Sequence, residues 1–225
     1  MRIVICEDSV LLREGLVRLL VDSGHDVVAA LPDASQLIET IDALAPELCI
    51  VDVRLPPTYT AEGLRAALEA RRRWRDLPVI VLSQYVEERY ASELVSAPGG
   101  ALGYLLKDRV ADVGDFIESV QLVAHGTTVL DPEVVAQLLN RSLRDERMKR
   151  LTEREQATLA LIAEGKSNQA IAKLLHVTEA SVEKYVTAIF HKLDLEPDES
   201  GNRRVLAVLA HLDRAGARSR ENTTP

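Results

Sequence analysis

Aromatic side chains are scarce: two Phe, five Tyr and one Trp among 225 residues. Aliphatic side chains must therefore do the packing, and at 47% hydrophobic residues the chain has enough of them for sizeable cores. There are only two cysteines, Cys6 and Cys49, each within a short apolar run. That argues against a disulfide-stapled scaffold or a thiolate metal cluster and for two small core residues. No apolar run approaches the ~20 residues of a membrane helix. The opening stretch MRIVICEDSV passes from one arginine through a few apolar residues to acids, which is a first strand and not a secretory signal. The expectation is a soluble, cytoplasmic protein with no membrane partner. Basic charge is also lacking overall, since the net charge is −8. Nonspecific nucleic-acid binding by the whole chain is disfavoured, although a local site is not.

The charge is unevenly spread. Residues 1–148 hold 15 Lys+Arg against 24 Asp+Glu, a net of −9, and residues 149–225 hold 12 against 11, a net of +1. An acidic module followed by a near-neutral one suggests two partners.

The first part alternates two patterns. RIVIC (2–6), DVVAA (26–30), ELCIVD (47–52), LPVIVLS (77–83) and ALGYLL (101–106) are nearly continuous apolar runs, as parallel strands covered on both faces require. Between and after them lie amphipathic helical stretches at 9–22, 34–44, 62–74, 86–95 and 112–124. Five strand–helix units predict an α/β fold with a doubly wound, five-stranded parallel sheet. Its functional crevice would lie at the carboxyl ends of the strands. RRRWR (71–75), at the end of the third helix, suits the helix dipole and reads as a solvated basic face.

After residue 125 no further strand run is expected. Asp131 and Pro132 form a cap and first-turn pair that opens a helix to about Arg147, and RSLRDERMKR (141–150) is a charged linker. Four helical stretches follow, at 152–164, 167–175, 178–193 and about 200–213. The division expected is thus 1–124, a linker with a helix at 125–148, a small all-α domain at 149–215 and a flexible tail at 216–225.

The strand ends carry the chemistry. Glu7 and Asp8 follow the first strand, Asp52 ends the third, Ser83 ends the fourth and Lys107 follows the fifth. Three carboxylates in one crevice repel one another, and a hard divalent cation such as Mg²⁺ relieves that repulsion with oxygen ligands. A lysine and a hydroxyl beside them suit the oxygens of a phosphoryl group. The set is arranged to transfer a phosphoryl group to a carboxylate, with Lys107 and the metal neutralising charge.

With these residues the first 124 positions resemble the receiver domain of bacterial two-component response regulators. The matching residues are Glu7–Asp8, Asp52 in VDVRLP, Ser83 in VLSQY, and Tyr104 and Lys107 in GYLLKD. The resemblance implies that Asp52 accepts a phosphoryl group from a sensor histidine kinase. It implies Mg²⁺ held by Asp8, Asp52 and the backbone carbonyl of Arg54, with Glu7 acting through water. Ser83 and Tyr104 would be the switch pair and Lys107 a phosphoryl contact. The stretches RLPPTYTAEGL after Asp52 and SAPGGALGYLL before Lys107 are longer than usual for the family. A haloacid-dehalogenase-like phosphatase also forms an aspartyl phosphate, but it needs a second Asp two residues after the first, where this chain has Arg54. An atypical receiver that binds a ligand without phosphate is the other alternative, and the intact set of acids, Ser83 and Lys107 counts against it.

Residues 151–195 read as helix, short helix, tight turn and longer helix. Thr152 and Glu155 have capping-box spacing, Gly165 stops the first helix, and Ser167 and Thr178 cap the next two. That is helix-turn-helix geometry. The outward face of the third helix carries Glu179, Ser181, Glu183, Lys184, Thr187 and Ala188. LTEREQ, IAEGKSNQAIAKLL and VEKYVTAIFHKL resemble the LuxR-type helix-turn-helix, with Tyr185 where the family commonly has histidine. The resemblance implies binding to double-stranded promoter DNA. Lys184 and Thr187 would face bases, with Glu183 nearby, and Asn168, Thr178, Ser181 and Lys192 would contact phosphates. Val205, Val208 and Leu209 would dimerise the domain. The order of modules is that of NarL/LuxR-type response regulators, which are transcription factors and not enzymes beyond catalysing their own aspartyl phosphorylation and dephosphorylation. The implied active form is a phosphorylated homodimer.

Overall fold

The computed structural model describes residues 1–97, 99–195, 203–208 and 210–211, the side chains of 88–90 excepted. Two compact units divide the chain, Met1–Leu138 and Leu139–Pro225.

The first unit is built from β1 (Arg2–Cys6), α1 (Val10–Asp22), β2 (Asp26–Leu31), α2 (Leu37–Leu44), β3 (Leu48–Asp52), α3 (Glu62–Arg73), β4 (Val79–Ser83), α4 (Glu88–Ser96), β5 (Leu102–Leu106), a 3₁₀ turn (Lys107–Ala111), α5 (Val113–Ala124) and β6 (Val129–Leu130). The strands form one parallel sheet in the order β2-β1-β3-β4-β5-β6. β3 and β4 are buried along their whole length, which is why they read as unbroken apolar runs. Residues of alternating parity face two cores. One holds Val4, Cys49, Val51, Val79, Val81 and Tyr104 under α2, α3 and α4, and the other holds Ile3, Ile5, Ile50, Ile80 and Leu82 under α1 and α5. Both cysteines are buried, and burial pushes each thiol up to about 12, so neither is a reactive thiolate.

The sheet has six strands where five were expected. β6 is two residues long, pairing Val129 with Gly103 and Leu130 with Tyr104. A pair of residues has no readable period, and only β5 beside it makes it a strand. α6 (Pro132–Lys149) follows, close to the helix expected from Pro132 to about Arg147, and it runs through most of the charged stretch 141–150. Ion pairs at helical spacing, Arg141–Asp145 at 3.9 Å and Lys149–Glu146 at 2.6 Å, accompany that stretch, and Met148 is buried.

RRRWR also departs from its expected solvated face. Arg71 is only 3% exposed. Its guanidinium donates to the carbonyls of Gly100 at 2.8 Å, Ala101 at 3.2 Å and Ala97 at 3.4 Å, while its Nε is unpaired. Burial lowers its pKa. Gly99, at φ +153°, lies against this guanidinium, where an added Cβ would stand 3.4 Å from it. Arg72 and Arg73 are exposed and pair with Glu69, as a solvated face would. The long stretch before β5 is thus wrapped around one buried arginine.

The second unit packs α7 (Glu153–Ala163), α8 (Asn168–Leu175), α9 (Glu179–Lys192) and a further helical stretch at 203–208. Its caps are the expected ones. Thr152 N donates to Glu155 Oε2 at 2.7 Å and Glu155 N to Thr152 Oγ1 at 3.4 Å, a complete capping box. Ser167 and Thr178 cap α8 and α9. His176, at φ 54°, makes the turn between α8 and α9. Ile162, Ile171, Ala172 and Val182 form one core, and Met148, Leu159, Ile189 and Leu193 another.

Arg71→Met should destabilise the first unit by about 2–4 kcal/mol, because three carbonyls lose their donor inside the fold. Arg72→Met should stay within ~0.5 kcal/mol of the parent. Urea unfolding of both variants measures the difference, and equal midpoints would refute the role given to Arg71.

Candidate functional site

In an α/β sheet of this order the chain reverses direction between β1 and β3, and the crevice lies outside the strand ends at that point. The acids occupy it. Glu7 follows β1 immediately, Asp8 is next, and Asp52 is the last residue of β3. One carboxylate oxygen from each of Glu7, Asp8 and Asp52 lies within 4.8 Å of the others. Glu7 is 1% exposed and Asp52 4%, while Asp8 is half-buried.

One cation answers them. Lys107 leaves the end of β5, and its Nζ lies 3.0 Å from Asp52 Oδ2, 3.1 Å from Glu7 Oε1 and 2.9 Å from Glu7 Oε2. Glu7 Oε2 is close to the ammonium but not aligned to accept a hydrogen bond from it. Ser9 N donates to Glu7 Oε1 at 3.1 Å and Arg54 N to Asp52 Oδ1 at 3.4 Å. Burial raises the pKa of Asp52 and of Glu7, with Lys107 opposing in both. Burial acts to lower that of Lys107, but hydrogen bonds to the two carboxylates prevail and raise it. The Asp8 carboxylate has no hydrogen-bond or ion-pair partner among the described residues.

Three carboxylates against one ammonium leave a surplus of negative charge, with one buried oxygen poorly satisfied. The donor set is all oxygen. These are the conditions a hard divalent cation fits.

The neighbouring residues are placed as follows. Ser83 is buried at the end of β4, and its hydroxyl donates to Tyr85 O. Tyr104 is fully buried in β5, and its hydroxyl accepts from Glu87 N at 3.4 Å. Burial raises its pKa, with the bond from Glu87 opposing. Sequence reasoning gave Arg54 only a backbone part, but its side chain crosses to Glu87 in the β4–α4 connection, Nε to Oε1 at 3.0 Å. It also passed over Gly63. A Cβ on Gly63 would stand 1.7 Å from Asp52 O, so only glycine lets α3 begin against the backbone of Asp52. A glycine in a helical pattern signals some close approach, but not to which residue.

In the second unit Glu183, Lys184 and Thr187 are exposed on one face of α9. Together with Ala180, Ala188, His191 and Lys192 they line a shallow surface. Thr187 Oγ1 donates to Glu183 O at 3.0 Å. Thr178 and Ser181 pair through their hydroxyls at 2.8 Å. Asn168 Oδ1 accepts from Arg204 at 2.9 Å. Lys192 has an internal partner that the sequence did not announce: its Nζ sits 2.9 and 2.7 Å from the two oxygens of Glu155, tying α9 to the capping box of α7. Val205 is 53% exposed, and so is its neighbour Leu206 at 42%. Val208 instead packs on the Ile162–Ile171–Val182 core. Leu209 lies outside the described residues.

Asp52→Asn should raise the thermal midpoint of the first unit when no divalent cation is present. It removes one of the crowded carboxylates and leaves Lys107 paired with Glu7. A midpoint gain of about 2–4 °C per kcal/mol of relieved repulsion is expected, and added Mg²⁺ should narrow the gap by stabilising the parent. Calorimetry of both proteins decides it, and a lower midpoint for the variant would contradict this charge balance.

Comparison with known proteins agrees with both units. Residues 3–119 match the model of the response regulator receiver domain. Residues 149–210 match the luxR family of bacterial regulatory proteins. The chain is 32% identical over 205 residues to the transcriptional regulatory protein LnrK of Bacillus subtilis (strain 168), covering 85% of this chain and 90% of that one. It is 30% identical over 214 residues to the transcriptional regulatory protein DegU of Brevibacillus brevis, covering 86% and 88%. A structure of the RcsB response regulator of Salmonella typhimurium shares the fold, with a TM-score of 0.68, 22% identity and coverage of 95% of this chain and 99% of that one. Among the described residues no helix is long and apolar enough to cross a membrane. The chain therefore belongs to the DNA-binding response regulators of transcription, a receiver domain joined to a LuxR-type helix-turn-helix domain.

Proposed function

We propose that this chain is a phosphorylation-gated transcription factor, with Asp52 as its phosphoacceptor and a sensor histidine kinase as donor. The observation that carries the reading is the Lys107 ammonium 3.0 Å from Asp52 Oδ2, beside two further carboxylates. An Asp52 oxygen attacks the phosphorus of a phosphohistidine. The P–O bond forms, the P–N bond breaks, and the imidazole leaves with the electron pair and takes up a proton. Lys107 turns from the carboxylates toward a phosphoryl oxygen. Ser83 Oγ exchanges Tyr85 O for another, and Tyr104 follows the vacated space. Asp8, Asp52 and the Arg54 carbonyl are the residues to hold Mg²⁺, with Glu7 acting through water; the bound ion supplies positive charge to the phosphoryl oxygens. Hydrolysis of the aspartyl phosphate resets the site, and this self-directed chemistry is the catalysis proposed.

The functional division is 1–124 for the receiver, 125–148 for the linker, 149–215 for the reader and 216–225 for the tail. A complex of the two-component response regulator RcsB with DNA has the same fold, with a TM-score of 0.58, 23% identity and coverage of 95% of this chain and 98% of that one. By helix-turn-helix geometry α9, the last helix of the motif, enters the major groove of promoter DNA. Lys184 and Thr187 face bases with Glu183 beside them, and Asn168, Thr178, Ser181 and Lys192 lie along the phosphates. Phosphorylation favours a homodimer, with Val205, Val208 and Leu209 at the reader interface and half-sites ~10 bp apart. A kinase donor and a chromosomal target place the chain in the cytoplasm.

Intact-mass measurement after treatment with acetyl phosphate and Mg²⁺ should show one added phosphoryl group, and Asp52→Asn should show none. Unchanged labelling of that variant would end the assignment. In gel shifts, phosphorylation should strengthen promoter binding by the full chain. Lys184→Ala and Thr187→Ala should change which sequences are preferred, by about 1–3 kcal/mol at the affected base pair. Lys192→Ala also strands Glu155, so it should lower stability as well as affinity. Unchanged affinity and oligomeric state on phosphorylation would refute the gating.

A further inference from the structure

Asp131 is a buried carboxylate outside the acid cluster, its side chain 1% exposed. A carboxylate in that position is costly unless it is both paired and hydrogen-bonded. Asp131 is both, and its partners come from two different places. Oδ2 accepts from Arg109 Nε at 2.9 Å, and Oδ1 accepts from Glu133 N at 3.0 Å in the first turn of α6. Its main chain is fastened too. Asp131 N donates to Tyr104 O at 2.9 Å, and Asp131 O accepts the early helical bond from Val135 N at 3.1 Å.

Those partners are not arbitrary. Arg109 lies in the 3₁₀ turn that starts at Lys107. Tyr104 is the β5 residue whose hydroxyl meets Glu87 N. The first turns of α6 also rest on the core that holds Tyr104: Val134 is fully buried in it, and Leu130 and Leu138 pack against it. α6 is the covalent path from the receiver toward the reader. Its start is therefore tied at two points, one beside the switch tyrosine and one in the turn that carries the phosphoryl-contacting lysine.

We infer that the Arg109–Asp131 pair is the joint that passes the phosphorylation state of Asp52 to α6. The inference rests on the phosphorylation reading above. When Lys107 and Tyr104 change partners, the 3₁₀ turn and β5 shift, and Asp131 carries that shift into the first turn of α6. Arg109 is a positioning residue: it touches neither Asp52 nor DNA. Its own side chain is 54% exposed, so replacing it opens no cavity, and Asp131 keeps the hydrogen bond from Glu133 N.

The test uses the full chain with Arg109→Ala and Arg109→Lys. Three quantities are read: Asp52 labelling by acetyl phosphate, the ratio of promoter affinity with and without the phosphoryl group, and amide hydrogen exchange over residues 132–138 in both states. The parent ratio should lie on the order of 5–150. Arg109→Ala should label like the parent, yet its ratio should fall to about one. Exchange at 132–138 should become faster and insensitive to phosphorylation. Arg109→Lys should recover part of the ratio, because an ammonium reaches Asp131 without the fork geometry of a guanidinium. A parent-like ratio in Arg109→Ala overturns the inference while leaving the phosphorylation reading intact. Lost labelling in that variant also overturns it, since the pair would then act on the site and not on its output. A parent ratio of one removes the gating and this joint together.

Discussion

Lys107 is the contact on which the charge balance of the first unit's crevice depends. It leaves the end of β5 and reaches across the end of β4 to Asp52 on β3 and to Glu7 just past β1. Without that ammonium, two carboxylates exposed by less than 5% would face each other unneutralised. The reach works only if the strand ends are level, and the register provides it: Asp52 pairs with Leu82, and Ser83 pairs with Leu106, the residue before Lys107. The ammonium is still too little. It serves two acids, while Asp8 has no partner among the described residues, and the surplus of negative charge is one a hard divalent cation would fit.

How much of this could be read from the residues follows from how local each feature is. Asp52, Ser83 and Lys107 were legible because each sits next to an apolar strand run, and parallel topology forces those ends together. The caps at Thr152, Ser167 and Thr178 were legible because capping is decided within four residues. β6 was not, because two residues carry no period. Arg71 was read as solvated with its neighbours because nothing in RRRWR distinguishes the one arginine that faces inward. Its partners are carbonyls at positions 97, 100 and 101, which leave no trace in side-chain chemistry. Gly63 and the Arg54–Glu87 pair escaped for the same reason, since each depends on a contact from another loop.

The second unit rests on different physics. It is nearly neutral, holds two small cores and fixes its helices by caps. Lys192 shows how closely structure and recognition can overlap there. The ammonium that would sit along a phosphate also neutralises Glu155, whose other task is to close the capping box with Thr152. An approaching phosphate would compete with a carboxylate already in place, so as a phosphate contact this lysine would contribute less than an exposed one. Lys184, exposed on α9, has no such internal claim among the described residues.

The buried polar ties of the receiver converge on one strand. Arg71 holds the loop that enters β5, Lys107 leaves its far end, the Tyr104 hydroxyl meets Glu87 N, and the Tyr104 carbonyl receives Asp131 N. Apolar packing tolerates small slides at little cost, whereas a buried hydrogen bond or ion pair has a definite length and direction. A strand held in this way cannot absorb a change at Asp52 by drifting; it must exchange partners. On the proposed function, a phosphoryl group that drew Lys107 and Ser83 away from their present contacts would therefore act on β5 as a whole. β6 and Asp131, the residue before α6, are hydrogen-bonded to β5, so they would follow it. The directional polar contacts that fix β5 are, on the proposed function, the ones able to carry a signal through the sheet.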